Sequence, residues 1–164
     1  MDILASSARW FLPFVVPICL YVAWTDMAWM KITNRAVGLL FAVFLIAGPV
    51  ALPLDAYLWR FTHLAAVLAA GIALNAGGVM GAGDAKFLAA AAPFVHLGDL
   101  RFLMALFAAT LLAAVIGHRA VRATPLVRLA PGWKSWSSGT RFPMGLALGG
   151  TLMLYLSAGA LYGR

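Results

Sequence analysis

Glutamate is absent from this sequence, and its five acids are all aspartate: Asp2, Asp26, Asp55, Asp84 and Asp99. Charge of either sign is scarce, at 10% of the 164 residues, where a water-soluble domain carries roughly 25%. Hydrophobic residues make up 64%, and the mean hydropathy is +0.95. So little polar surface cannot cover a sphere in water, and the apolar excess must face lipid. A soluble globular domain is therefore excluded. Cysteine is reduced to Cys19, which rules out a disulfide framework, a CxxC pair and a zinc knuckle. His63, His96 and His118 are scattered without ligand spacing, so no metal centre is expected, and no Ser-His-Asp pattern is present. The twelve Lys and Arg give a net charge of +7, but they are dispersed along the chain, which argues against a nucleic-acid partner.

What is present is a series of uncharged runs at 10–25, 36–54, 61–83, 87–98, 102–118 and 142–163. A helix needs roughly 20 residues to cross the hydrocarbon core, so five runs qualify or nearly do. The 12-residue fourth run is too short alone and must borrow residues back to about Gly81 if it crosses. The runs are continuously apolar and do not alternate, which favours helices over a barrel. The expectation is an all-α, polytopic membrane protein of about six transmembrane helices, forming one domain over 1–164. The first run holds Pro13 and Pro17 and lacks a small-x-small cleavage pattern, so it is expected to remain as a helix and not to be removed as a signal peptide.

Lys31, Arg35, Lys86, Arg119, Arg122, Arg128, Lys134 and Arg141 fall in loops of one side, against Arg9, Arg60, Arg101 and Arg164 on the other. The positive-inside rule puts the first group, with Asp26 and Asp84, in the cytoplasm and both termini outside. The only long polar segment, 118–141, reads as a basic cytoplasmic loop. Its Arg and Lys residues, with Trp133 and Trp136, suit either contact with anionic lipid headgroups or a lip over a substrate groove.

Two segments are harder to explain as scaffold. Asp26 stands at the end of the first helix, where the helix dipole disfavours an anion, and Asn34 suits the cap of the second. Gly81-Ala82-Gly83-Asp84 permits close backbone approach, although Asp84 could simply cap a helix; phosphate binding is disfavoured by the carboxylate and by the missing P-loop spacing. Taken together, Asp26 and Asp84 are the only acids on the cytoplasmic side. Two carboxylates facing each other at a bilayer edge share a proton, which is what aspartic protease chemistry requires, with no cofactor. The dipole argument, with Asp26 at a helix C-terminus and Asp84 near an N-terminus, makes Asp26 the resting acid and Asp84 the base. The competing class is a non-catalytic scaffold or small transporter subunit, with both acids serving as polar helix contacts.

The chain resembles the type IV prepilin peptidases, and is most similar to the short CpaA/TadV-like members associated with Flp pili. The family's GxGDxK motif is matched by Gly81, Gly83, Asp84 and Lys86, its first-aspartate motif by Asp26, Ile32 and Asn34, and its C-terminal Pro-Tyr-Gly segment is similar to Phe142-Pro143-Met144-Gly145. The sequence has Thr33 where many members have Pro. Intramembrane proteases of the presenilin type share GxGD but carry a Tyr-Asp that is missing here. The resemblance implies an aspartic endopeptidase of a prokaryotic inner membrane. Asp26 and Asp84 would be catalytic, and Gly81, Gly83, Lys86, Ile32, Asn34, Pro143 and Gly145 would position substrate or support the site. It implies cleavage of leader peptides from prepilins or pseudopilins on the cytoplasmic face. N-methylation is not expected, because the CxxC-bearing insertion of the larger bifunctional members is absent. The natural prepilin and the oligomeric state stay open.

Overall fold

In a computed structural model, which describes residues 1–139 and 141–164, the chain forms six α-helices: α1 (Ala5–Trp29), α2 (Asn34–Ala51), α3 (Leu54–Ala76), α4 (Ala82–Ala91), α5 (Leu100–Arg122) and α6 (Met144–Tyr162). All but α4 are long and apolar enough to cross a membrane, and no strand occurs among the described residues. The protein is thus an all-α, polytopic membrane protein. Helix α1 runs unbroken through Pro13 and Pro17.

The centre of the bundle is the antiparallel pair α1 and α6. Small residues on α6 let the two backbones close up: a β-carbon on Gly149 would stand 2.9 Å from the Cys19 carbonyl oxygen. Phe11 of α1, Phe44 of α2 and Phe94 after α4 pack edge to face, with ring centroids 4.9 Å apart for Phe11–Phe94 and 5.7 Å for Phe44–Phe94. Helices α3 and α5 form the outer layer. His118 is the only buried residue of α5, and Arg60 and Gly71 are the only ones of α3, as expected of helices that face lipid.

The chain passes six times from one end of the bundle to the other. Its termini meet at one end, where Ala5 N–H donates to the Arg164 carbonyl at 2.9 Å and Arg164 N–H to the Ile3 carbonyl at 3.0 Å. The fourth pass is unlike the rest. Helix α4 has 10 residues, or about 15 Å, half the thickness of a hydrocarbon core. The remaining distance is covered by 3-10 turns at Ala92–Phe94 and Leu97–Asp99 with extended backbone at Val95 and His96. Irregular backbone at this depth is tolerated only where protein satisfies it. Arg60 does so, donating from Nη1 to the Pro93 carbonyl at 3.1 Å and to that of Val95, while the Tyr155 hydroxyl accepts the His96 N–H at 3.0 Å.

That use of Arg60 explains why cutting the sequence at charged residues misplaces α3. The uncharged run is 61–83, but the helix begins at Leu54 and contains both Asp55 and Arg60. A guanidinium that spends its donors on buried carbonyls has no need of a loop. The cap of α2 also shifts by one residue: Thr33 accepts the Ala36 N–H through its hydroxyl, and Asn34, expected as the cap, is the first helical residue.

Candidate active site

At the end of the bundle opposite the termini, four helix ends converge. Asp26 lies in the last turn of α1 and is only 6% exposed. Its Oδ2 accepts the Gly145 N–H at 2.6 Å, so the first turn of α6 aims its free backbone donors at this carboxylate. Pro143, fully buried, stands at the N-cap of α6 and fixes the entry of that helix. Gly145 is small of necessity, since a β-carbon there would stand 2.9 Å from Asp26 Cβ.

Asp84 is half-buried in the first turn of α4, three residues after the N-cap Gly81. Its carboxyl turns back toward the Gly81 N–H, as an acid at the third helical position of a capping box does. The Asp84 carboxyl is pushed up to about 6, first by burial and then by the neighbouring Asp26 charge, with the Gly81 N–H opposing both. The helix dipole was expected to hold the Asp84 carboxyl down; burial and a like charge push it up instead. At Asp26 the N-terminus of α6 counters the C-terminus of α1.

The other motif residues interlock around the pair. A β-carbon on Gly83 would stand 3.3 Å from the Cβ of buried Ile32, so Gly83 lets α4 lie against the segment that follows α1. Lys86 Nζ donates to Asn34 Oδ1 at 3.2 Å, which ties α4 to the start of α2. Asp26, Ile32, Asn34, Gly81, Gly83, Asp84 and Lys86 all line one cleft of about 770 Å³. Pro143 and Gly145 stand behind it and hold Asp26. Met30, Lys31, Met80 and Arg141 also line the cleft and were not singled out in the sequence. Lys31 and Arg141 had a signal available, since each is a cation beside a motif residue; Met30 and Met80 had none.

The arrangement is that of a membrane protein holding two carboxylates in one water-accessible cleft, one of them with its proton affinity raised to about 6 by burial and by the charge of the other. A model of the type IV leader peptidase family matches residues 14–118, more than half of the chain and including both aspartates. The chain belongs to this family, whose peptidases are of the aspartic type and act on prepilin-type substrates. No curated protein and no solved structure matches it.

Proposed function

We propose that the protein removes leader peptides from Flp-type prepilins or pseudopilins at the cytoplasmic face of a prokaryotic inner membrane, with Asp26 and Asp84 as its catalytic pair. The observation that carries this reading is the shared cleft, in which the charge of Asp26 raises the proton affinity of Asp84. Asp84 enters the reaction protonated, hydrogen-bonds the scissile carbonyl oxygen and passes its proton to that oxygen as the carbonyl is attacked. Asp26, held by Gly145, takes a proton from water as the water oxygen attacks the carbonyl carbon. The tetrahedral intermediate collapses when Asp26 passes that proton to the departing amine, and the Asp84 proton is restored from the intermediate's hydroxyl. No cofactor takes part. A substrate whose apolar segment stays in lipid while its polar leader reaches water needs a site at the bilayer edge, and both aspartates stand at one end of the bundle.

The orientation rests on the excess of Lys and Arg at the Asp26 and Asp84 end, which favours the cytoplasm for that end and the outside for both termini. The product is expected to carry an unmethylated N-terminus. Co-expression with a precursor, followed by N-terminal sequencing and mass measurement of the product, tests all parts of the reading. Asp26→Asn and Asp84→Asn should each stop processing with the protein still in the membrane. Normal cleavage by either variant would remove the pair from the mechanism.

A further inference from the structure

The cleft does not end at the aspartates. A second cavity of about 610 Å³ lies against it, lined by Met30, Lys134, Ser137, Ser138, Gly139 and Arg141. Met30 and Arg141 face both cavities, so the two are compartments of one groove. Met30 stands at the junction in a conformation that L residues rarely adopt, with φ 54° and ψ 43°, and no other non-glycine among the described residues has positive φ. Its N–H closes α1 on the Asp26 carbonyl at 2.8 Å, so the residue that divides the groove is tied directly to the Asp26 backbone. Such strain in a residue other than glycine tends to persist where the surroundings hold it for a purpose.

The far wall belongs to the segment between α5 and α6, and it is a built wall. Trp136 stacks on buried His118 at 4.8 Å and 17°, and Trp133 stacks on Trp136 at 5.8 Å and 15°. Trp136 Nε1 donates to the Ala130 carbonyl at 2.9 Å, and Arg122 Nη1 to that of Gly139 at 3.4 Å. Its polar lining is Lys134, Arg141, Ser137 and Ser138; the two hydroxyls donate within the segment, Ser137 to the Lys134 carbonyl at 3.3 Å and Ser138 to that of Arg141 at 2.9 Å, so the donors it offers are the cations Lys134 and Arg141. Met30 is its one apolar side chain. Groups of this kind match peptide carbonyls and hydrophilic side chains, and offer nothing to a transmembrane helix.

We propose that this second compartment is the leader subsite: it holds, in extended form, the hydrophilic residues on the N-terminal side of the scissile bond. The inference rests on the reading of Asp26 and Asp84 as the catalytic pair. A space of this volume is about 8 Å across, and an extended chain advances roughly 3.3 Å per residue, so it takes about two or three leader residues beyond those in the first cleft. Lys134 and Arg141 meet their carbonyl oxygens, and Met30 sets the boundary between leader and cut.

The test uses the full-length protein in lipid vesicles and two precursors that differ only in leader length, one with its whole leader and one trimmed to two residues. Two or three hydrogen bonds of ordinary net strength make the whole leader better by about tenfold in kcat/KM, read mainly in KM. Ser137→Trp, which fills the compartment, and Lys134→Gln, which removes a donor without filling it, should each shrink that ratio toward one. Leu129→Ser, on the exposed outer side of the same segment, should keep the wild-type ratio. Equal cleavage of both precursors by the wild type, or an unchanged ratio in both Ser137→Trp and Lys134→Gln, would overturn the subsite. Asp84→Asn separates the two levels. If it cleaves neither precursor while the ratios stay unchanged, the leader subsite alone is lost; if it cleaves both, the catalytic pair is lost.

Discussion

The two ends of the bundle put the same residue type to opposite uses. At the end where the termini meet, Asp99 is 4% exposed and fully engaged: it accepts the Asp2 N–H at 2.7 Å, the Ile3 N–H at 3.0 Å and the Tyr155 hydroxyl at 2.9 Å. Its neighbour Arg60 is likewise spent on carbonyls. The charge there is absorbed as structure. At the other end, among the described residues, Asp26 has one donor, Gly145, and Asp84 has the backbone of its own turn; both face a cleft large enough for a peptide. The difference teaches that what a buried aspartate is free to do depends on how fully its oxygens are satisfied. A buried carboxylate with three donors stabilises the bundle, and one left partly unpaired beside a second carboxylate can take and give a proton.

Exchange of the two kinds of aspartate is the most direct way to break this comparison. Asp84→Asn and Asp26→Asn should lower precursor cleavage about a thousandfold or more, the range lost with a general acid or base. Asp99→Asn should leave cleavage at a rate close to normal in whatever protein remains folded, measured on the detergent-solubilised monomer fraction. Substantial cleavage by Asp84→Asn, or a dead but well-folded Asp99→Asn, would erase the distinction.

A smaller effect is expected behind the site. Gly145→Ala puts a methyl group 2.9 Å from Asp26 Cβ and 3.0 Å from its Oδ2, with the carboxylate forced to move. Displacement of a reacting group by about an ångström costs on the order of a hundredfold, so kcat should fall by ten- to a hundredfold with KM little changed. Tyr155→Phe probes the opposite end: it strips a donor from Asp99 and an acceptor from the His96 N–H, and should lower unfolding stability by about 1–3 kcal/mol in a denaturation series, with kcat retained.

The subtlest prediction concerns protons. Asp84 has its proton affinity raised to about 6, so the protonated form required of the acid is lost as pH rises through that value, and the alkaline limb of kcat/KM should fall there. In Asp26→Asn the adjacent negative charge is gone, ionisation of Asp84 becomes easier, and its midpoint should drop below 6 in an infrared carboxyl titration. A midpoint that stays the same or rises would show that the two carboxylates do not sense each other.

Much of the site was legible before any fold was known. The paired motifs around Asp26 and Asp84 carry their own spacing, and the glycines at 81 and 83 announce a close approach. The partners of that approach were not legible: Asp84 for Gly81, Ile32 for Gly83 and, in the C-terminal segment, Asp26 for Gly145. Nor did the count of three outer aspartates without a task foresee Asp99, because its three donors come from Asp2, Ile3 and Tyr155, at both ends of the chain. The segment 118–141 read more readily as a lipid-hugging connector than as a lip over a substrate groove; Arg141 and Phe142 line the cleft, and the stacking of Trp136 on His118, which shapes that segment, was not legible.

Composition alone determined that this chain lives in lipid as helices, because burial of apolar surface and the satisfaction of backbone groups within each helix are local properties, summed residue by residue. Motif spacing determined which acids to suspect and which family to expect. Only the tertiary structure decided which groups each carboxylate meets. The hydrogen bond that holds Asp26 comes from Gly145, 119 residues away, and the charge that raises Asp84 comes from Asp26 on another helix. Electrostatics acts through space, and until helices pack, the sequence carries no distance between the groups that must share one proton.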